Sequence, residues 1–122
     1  MEDQFITLWR PLGPAELELI QQMNMRAFPP RLPEQPIFYP VCSEEYAAKI
    51  ARDWNVPAHG RGYVARFRVL KSFLEKYEVR DAAGRQYQEY WIPAENLTDF
   101  NSALIGEIEI IAEFGDAPLS KG

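Results

Sequence analysis

Hydrophobic positions in the first quarter of the chain predict one strand and one helix. Residues 5–10 are rich in β-branched and aromatic side chains and stop at Pro11, which is typical of a strand that a proline terminates. Pro14 follows at a position that suits the first turn of a helix. Apolar side chains then recur at helical spacing, so the pattern predicts a helix over residues 14–24.

A proline-rich segment separates this helix from a second one. Residues 28–40 contain five prolines and cannot be helical, so we expect them to extend over the surface, with a short strand at residues 37–39. Ser43 is a favourable N-cap, and the two glutamates after it suit the positive end of a helix. Apolar positions then predict that helix over residues 44–54.

The second half of the chain carries the pattern of strands. A loop with proline and glycine is predicted at residues 55–62, and residues 63–69 alternate apolar and polar side chains as a half-buried strand does. Two further strands, at residues 77–79 and 88–92, flank a turn predicted at residues 81–84.

A short helix over residues 93–100 and a strand over residues 107–114 complete the predicted elements. Helices in the first half and strands in the second predict an α+β fold with a largely antiparallel sheet. We expect a single domain over residues 1–122, with flexible tails at about residues 1–4 and 115–122.

Composition narrows the class of protein. With 122 residues, 47% of them hydrophobic, the chain can bury a core without disulfides. Its single cysteine excludes an internal disulfide framework and a cysteine-rich zinc site, which favours a reducing, cytoplasmic location. No apolar run approaches the roughly 18 residues of a membrane span. The formal charge of −5 argues against general binding to nucleic acid.

Charge is divided unevenly along the chain. Residues 61–85 hold seven basic and three acidic residues, whereas residues 86–122 hold one lysine and seven acidic residues. Two solvated faces of opposite charge are the simplest interpretation. The alternative is a basic groove for a phosphate-bearing ligand, with acidic groups on its other wall.

Common catalytic motifs are missing from the sequence, which has no glycine-rich phosphate loop, no HExxH and no GxSxG. His59, the single histidine, lies in the predicted loop, where a solvated side chain is expected. Cys42 precedes a predicted helix whose N-terminus could lower the pKa of the thiol, but burial as a small apolar side chain is the simpler interpretation.

Three short segments carry residue types that suit a catalytic site. Arg10 ends the first predicted strand, where we expect an exposed cation. Tyr39 follows an apolar patch just ahead of the helix that Ser43 caps, and Glu89 lies at the start of the strand at residues 88–92. These segments are far apart along the chain and supply a cation, an aromatic ring and a carboxylate.

The three segments resemble the ADP-ribosyltransferase fold, most nearly the branch typified by diphtheria toxin. That family places a His, or an Arg in its other branch, at the end of the first strand, a Tyr before an Ala-rich helix, and a catalytic Glu at the start of a later strand. Arg10, Tyr39 and Glu89 occupy these positions. Most of the chain, including residues 26–40 and 47–55, is also similar to a group of small bacterial proteins named for ADP-ribosylation. The resemblance implies two small, strongly bent antiparallel sheets with flanking helices.

The resemblance also implies NAD as the substrate and a role for each residue. Glu89 would stabilise the oxocarbenium-like sugar that forms when the bond between nicotinamide and ribose is cleaved. Tyr39 would stack on nicotinamide, and Arg10 would bind the phosphates or the adenosine ribose. Arg26 or Arg31 would add a second phosphate contact.

Some positions depart from the family pattern. Where the Arg branch carries Ser-Thr-Ser, this chain offers Tyr39 and, as a further cofactor-binding candidate, Ser43. Tyr87 stands two residues before Glu89, where enzymes that modify arginine carry a second Glu or Gln. Each candidate also has a purely structural interpretation: Arg10 as the partner of a surface acid, Tyr39 as a core residue, and Glu89 as a solvent-facing acid.

Three functions follow from these observations. The leading one is an ADP-ribosyl transferase or NAD glycohydrolase that acts through Glu89, with an acceptor that the sequence does not identify. The second is a non-catalytic member of the same fold that binds a nucleotide or a protein partner. The third is an interaction module that uses the proline-rich residues 28–40 and the acidic tail.

Overall fold

The structure is a computed structural model that describes residues 4–81 and 88–115, and it has the mixed α+β fold with small antiparallel sheets that the sequence predicts. Most of the turn predicted at residues 81–84 and of the two predicted tails lies outside the described residues. The strands are β1 (Phe5–Leu12), β2 (Ile37–Phe38), β3 (Arg61–Leu70), β4 (Val79–Asp81), β5 (Gln88–Tyr90), β6 (Ile92–Pro93) and β7 (Leu104–Gly115). The α-helices are α1 (Pro14–Gln22), α2 (Glu44–Ile50), α3 (Val56–His59), α4 (Lys71–Leu74) and α5 (Leu97–Ser102).

Three antiparallel strands form a central sheet in the order β1-β3-β7, and β2-β6 and β4-β5 form two-stranded pairs. The short segment 40–42 connects β5 to the central sheet, because Val41 at its centre bridges Trp9 of β1 on one side and Glu89 of β5 on the other. The β5 strand therefore lies beyond β1, while β7 forms the opposite edge of the sheet.

The two faces of the central sheet pack against different cores. The inner face covers the larger core, in which Leu8, Phe67 and Ile108 from the three strands pack with Phe28 and other buried side chains. The outer face covers a smaller core that Val41 and Val64 form with the alanines of α2 and the turn after it. Burying a large apolar side chain stabilises a fold by roughly 1.5–3 kcal/mol, so the larger core contributes most of the stability.

The first strand runs past the proline that we expected to end it. Pro11 lies opposite Val64 of β3, and β1 continues to Leu12. The N–H of Trp9 donates to the carbonyl of Val41, away from β3, and a residue two positions further along a strand has the same orientation. The missing N–H of Pro11 therefore removes no hydrogen bond from the β1-β3 ladder.

The helix that Ser43 caps changes its winding where we predicted its last turn. A π-helical turn at Ala51–Asn55 follows α2, and α3 follows in a region predicted as a loop. Pro57 follows Val56, whose N–H donates to the carbonyl of Ala51 in the π-helical manner, so the ordinary i→i−4 hydrogen-bond pattern is already interrupted where Pro57 lacks an N–H. Within the described residues, no helix is long and apolar enough to cross a membrane.

Strand pairing brings part of the basic segment beside part of the acidic segment. The basic strand β3 lies beside the acidic strand β7, and Arg61 pairs with Glu113 while Arg66 lies 3.0 Å from Glu109. These two arginines of the basic segment therefore face acidic residues of the other segment rather than forming a separate basic surface.

Gly62 provides a test of how tightly the π-helical turn packs on β3. A Cβ at this position would lie 2.5 Å from the carbonyl oxygen of Ala51, which is rigid backbone. We expect Gly62→Ala to lower the free energy of unfolding by roughly 2–3 kcal/mol, measured by chemical denaturation. Gly60→Ala is the matched control, because its Cβ would meet nothing within 4 Å and it adds only the strain of a φ of +84°. Equal losses in the two variants would contradict this account.

Candidate functional site

Glu89 lies in a row of residues that crosses the strands. Antiparallel pairing places Arg80 opposite Glu89, Glu89 opposite Val41, and Val41 opposite Trp9. Directly opposed residues of antiparallel strands point to the same face. Glu89 therefore shares the outer face with Val41, whose side chain packs beneath α2.

The carboxylate of Glu89 is held by two neutral donors. The hydroxyl of Tyr46, on α2, donates to one oxygen at 3.1 Å, and the indole N–H of Trp91 donates to the other at 2.7 Å. Each carboxylate oxygen has a second lone pair, so the group can still accept a hydrogen bond from a ligand. Glu89 is half-buried and keeps access to solvent.

Two exposed aromatic rings lie beside this carboxylate. The rings of Tyr39 and Trp91 meet edge to face with centroids 5.9 Å apart, and 37% and 40% of the two residues are exposed. The guanidinium of Arg80 lies 4.6 Å from the centre of the Trp91 ring. We call Glu89, Tyr39, Tyr46, Arg80 and Trp91 the Glu89 cluster.

Arg10 lies on the other face of the sheet, and the prediction of an exposed cation there is wrong. Only 8% of the residue is exposed. Its guanidinium donates to both carboxylate oxygens of Glu16, at 2.7 and 2.9 Å, and lies 4.6 Å from the centre of the Phe38 ring. Successive side chains of a strand point to opposite faces, so Trp9, and not Arg10, shares a face with Glu89. The structure thus gives Arg10 an acidic partner within the chain.

Tyr39 lies between these two regions. Its carbonyl accepts a long hydrogen bond, 3.5 Å, from Arg10, while its ring contacts Trp91. The structure therefore brings Tyr39 and Glu89 together and separates Arg10 from the carboxylate of Glu89.

The remaining two predicted ligand-binding residues have different positions. Ser43 caps α2, where its hydroxyl oxygen accepts from the backbone N–H of Tyr46 at 3.1 Å, and it thereby positions the residue whose hydroxyl binds Glu89. Arg26 follows α1 beside β7, where its exposed guanidinium lies 4.0 Å from Glu107. Arg26 and Glu89 are thus at opposite edges of the sheet.

Cys42 and His59 do not form a nucleophile and base. Burial, and secondarily the negative charge of Glu89, raises the pKa of the Cys42 thiol to about 11, so the thiol is protonated near neutral pH. The side chain packs against the larger core, as the simpler interpretation of the sequence expected. His59 is exposed at the end of α3.

Two cavities of about 560 and 460 Å³ lie away from the Glu89 cluster. The larger one lies on the outer face of the sheet, between Phe5, Arg68 and Glu107, and the smaller one lies beside Arg31 and Leu97. Neither wall includes Glu89, Tyr39 or Arg10. Among the described residues, no group of three His, Cys, Asp or Glu side chains could hold a metal ion.

Comparisons with protein-family models, curated proteins and solved structures found no match to this chain. Three members of the Glu89 cluster, Tyr46, Arg80 and Trp91, were not predicted from the sequence. Trp91 stands two positions after Glu89 in a strand, so alternation alone could have placed both on one face. Arg80 and Tyr46 required the register of β4-β5 and the packing of α2.

The Arg10–Glu16 pair predicts a large effect of a neutral substitution. Glu16→Gln leaves a largely buried guanidinium without its carboxylate, so we expect a loss of about 2 kcal/mol in the free energy of unfolding. Asp53→Asn is the control, because it breaks an exposed pair with Lys49, for which about 0.5 kcal/mol or less is expected. Chemical denaturation measures both, and a similar small loss in each would show that Arg10 does not depend on Glu16.

Cys42 gives a pH-dependent probe of the Glu89 carboxylate. We expect alkylation of the folded protein by iodoacetamide to rise with pH towards a midpoint near 11, well above that of an ordinary thiol, because the thiolate is the reactive form. The unfolded chain loses this proton first, so the contribution of Cys42 to stability falls as pH rises from about 9 to about 11.

Glu89→Gln should move the alkylation midpoint to lower pH, because it removes the second cause of the raised pKa and leaves burial in place. Glu75→Gln, an exposed substitution at the end of α4, should leave the midpoint unchanged. An identical pH profile in wild type and Glu89→Gln would contradict the assigned proximity.

Proposed function

We propose that the protein binds NAD at the Glu89 cluster and cleaves the bond between nicotinamide and ribose, as an ADP-ribosyl transferase or an NAD glycohydrolase. The observation that carries this proposal is a carboxylate fixed by two donors directly beside two exposed aromatic rings. The nicotinamide ring of NAD is a planar cation, and the exposed ring of Tyr39 suits such a group through cation–π attraction, whereas the ring of Trp91 already faces Arg80.

The chemistry requires a negative charge next to the sugar. When the bond between C1′ and the nicotinamide nitrogen breaks, its electron pair stays with nicotinamide and the ribose gains oxocarbenium character. A carboxylate at the position of Glu89 stabilises this charge and accepts a hydrogen bond from a ribose hydroxyl. Water or an acceptor hydroxyl then adds to C1′ and releases its proton.

The phosphates of the dinucleotide need a cation other than Arg10, which is buried against Glu16. Arg80 is exposed, lies directly opposite Glu89 across β4-β5, and stacks on Trp91. A guanidinium presents a planar fork of donors that matches phosphate oxygens. We therefore assign the phosphate contact to Arg80 in this proposal.

A second candidate, a non-catalytic protein that binds a nucleotide or a protein partner, is favoured by a different observation. The walls of the 560 and 460 Å³ cavities, both formed by described residues, do not include Glu89, and the carboxylate already has a donor on each oxygen. An exposed Tyr–Trp pair with a neighbouring arginine also suits a protein interface. This candidate predicts binding without release of nicotinamide.

The substitution Glu89→Gln distinguishes the two candidate functions. We expect Glu89→Gln to reduce the rate of nicotinamide release from NAD by about 10²–10³-fold while changing the affinity for NAD less than about tenfold, because the carboxylate acts on the charge of the transition state. Chromatography measures the nicotinamide, and calorimetric titration measures the affinity.

Glu75→Gln is the matched control and should retain both properties. Tyr39→Ala should weaken NAD binding more than it slows the chemical step, because the ring provides contact area. Nicotinamide release that persists unchanged in Glu89→Gln would remove Glu89 from the mechanism. NAD binding without any release by the wild-type protein would favour the second candidate.

A further inference from the structure

The smaller cavity lies between the proline-rich segment and α5, and its wall combines apolar and charged groups. Met23, Phe28 and Leu97 supply apolar surface, while Arg31 and Glu95 supply one cation and one anion. Its volume of about 460 Å³ is within the usual range of roughly 300–1,000 Å³ for sites that bind small molecules. We call this space the Arg31 cavity.

Arg31 is a constrained guanidinium with unused donors. One of its five N–H groups donates to the carbonyl of Ile37 at 3.0 Å, and its Nε is buried without a hydrogen-bond partner. It forms no ion pair with any residue in the described part of the chain. A partly buried cation that has no ion-pair partner is expected to attract an anionic group.

The surroundings of Arg31 leave a positive charge uncompensated. Arg10 and Arg31 lie 4.6 and 5.8 Å from the centre of the same Phe38 ring, and the nearby Glu16 is engaged by Arg10 through both oxygens. Burial, and secondarily the charge of Arg10, lowers the pKa of Arg31 from its ordinary value, and the charges of Glu16 and Tyr39 offset this lowering only in part. A bound carboxylate would relieve this imbalance.

Glu95 provides the complementary charge on the same cavity. It follows β6 in the 3-10 turn Ala94–Asn96, is exposed, and has no ion-pair partner among residues 4–81 and 88–115. Glu95 disfavours a simple polyanion through like-charge repulsion, whereas a ligand that carries an ammonium group would bind it.

We propose that the Arg31 cavity binds a small zwitterion of the amino-acid class with an apolar side chain. Its carboxylate binds Arg31, its ammonium group binds Glu95, and its side chain packs on Met23 and Pro30, the exposed apolar residues of the wall. The proposal does not rest on NAD cleavage, because no residue of the Glu89 cluster lines this cavity.

Three probes of matched shape test the proposal by NMR titration of the full chain. L-phenylalanine carries both charges, L-phenylalaninamide lacks the carboxylate, and 3-phenylpropanoate lacks the ammonium group. The backbone amides of Leu97 and Thr98 report occupation of the cavity. We expect L-phenylalanine to bind about tenfold more tightly than the amide and about two- to fivefold more tightly than the propanoate, since Glu95 is the more exposed partner.

Two variants assign these preferences to single residues. Arg31→Gln should abolish the preference for L-phenylalanine over the amide, and Glu95→Gln should abolish the preference over the propanoate. Arg52→Gln, on the π-helical turn, is the control and should keep both preferences. Glu89→Gln should also leave binding unchanged, which separates this site from the proposed NAD site. Thermal unfolding checks that each variant is folded, and the exposed Glu95 provides a test that does not depend on the stability of Arg31→Gln.

The proposal is overturned if the three probes bind equally, or if the two variants leave their preferences intact. It is also overturned if no amide of the cavity shifts at ligand concentrations up to about 20 mM, which corresponds to binding too weak for a built site. Tighter binding of inorganic phosphate than of L-phenylalanine would exclude the amino-acid class. Displacement of L-phenylalanine by NAD would show that the two sites are one.

Discussion

The arrangement of the Glu89 cluster depends on the pairing of one buried residue, Val41. Its N–H and C=O exchange hydrogen bonds of 2.8 and 3.0 Å with Trp9, and its neighbours on either side are bonded to β5, Cys42 to Gln88 and Pro40 to Tyr90. The Val41 side chain is 1% exposed and packs beneath α2. This short connection fixes β5 against both the central sheet and the helix that carries Tyr46.

Successive side chains of β1 point to opposite faces of the sheet, so neighbouring residues of this strand contact different cores. Trp9 lies in the row that leads to Glu89, while Arg10, one residue further, points into the inner face and pairs with Glu16. A shift of one residue exchanges the faces of a strand. The register of strand pairing therefore decides whether a side chain reaches a site. The position of the residue in a sequence motif does not.

The same principle explains which features could be predicted from the sequence. Ser43 as the cap of α2 and β3 as a half-buried strand depend on local chemistry, and both were predicted correctly. The exposure of Arg10 was predicted wrongly, because its burial depends on contacts with Phe38 and Glu16, which no local pattern around Arg10 indicates. The contact between Tyr46 and Glu89 joins residues 43 positions apart, and no local pattern indicates it. The proximity of Tyr39 and Glu89 was expected only from the family resemblance, and its function stays a prediction.

Ion pairing within the chain determines which charged side chains are available to a ligand. The sequence concentrates basic residues in one segment and acidic residues in the next, which suggested opposed surfaces, but β3 and β7 neutralise each other by lying side by side. Local charge excess is therefore a poor guide to a binding site here, because β3 and β7 lie side by side although β4, β5 and β6 separate them in the sequence. Several cations have no carboxylate partner within the described residues. Arg80, stacked on Trp91, and Arg31, held between Phe38 and the Ile37 carbonyl, are of this kind, and they lie beside the cluster and the cavity for which we propose ligands.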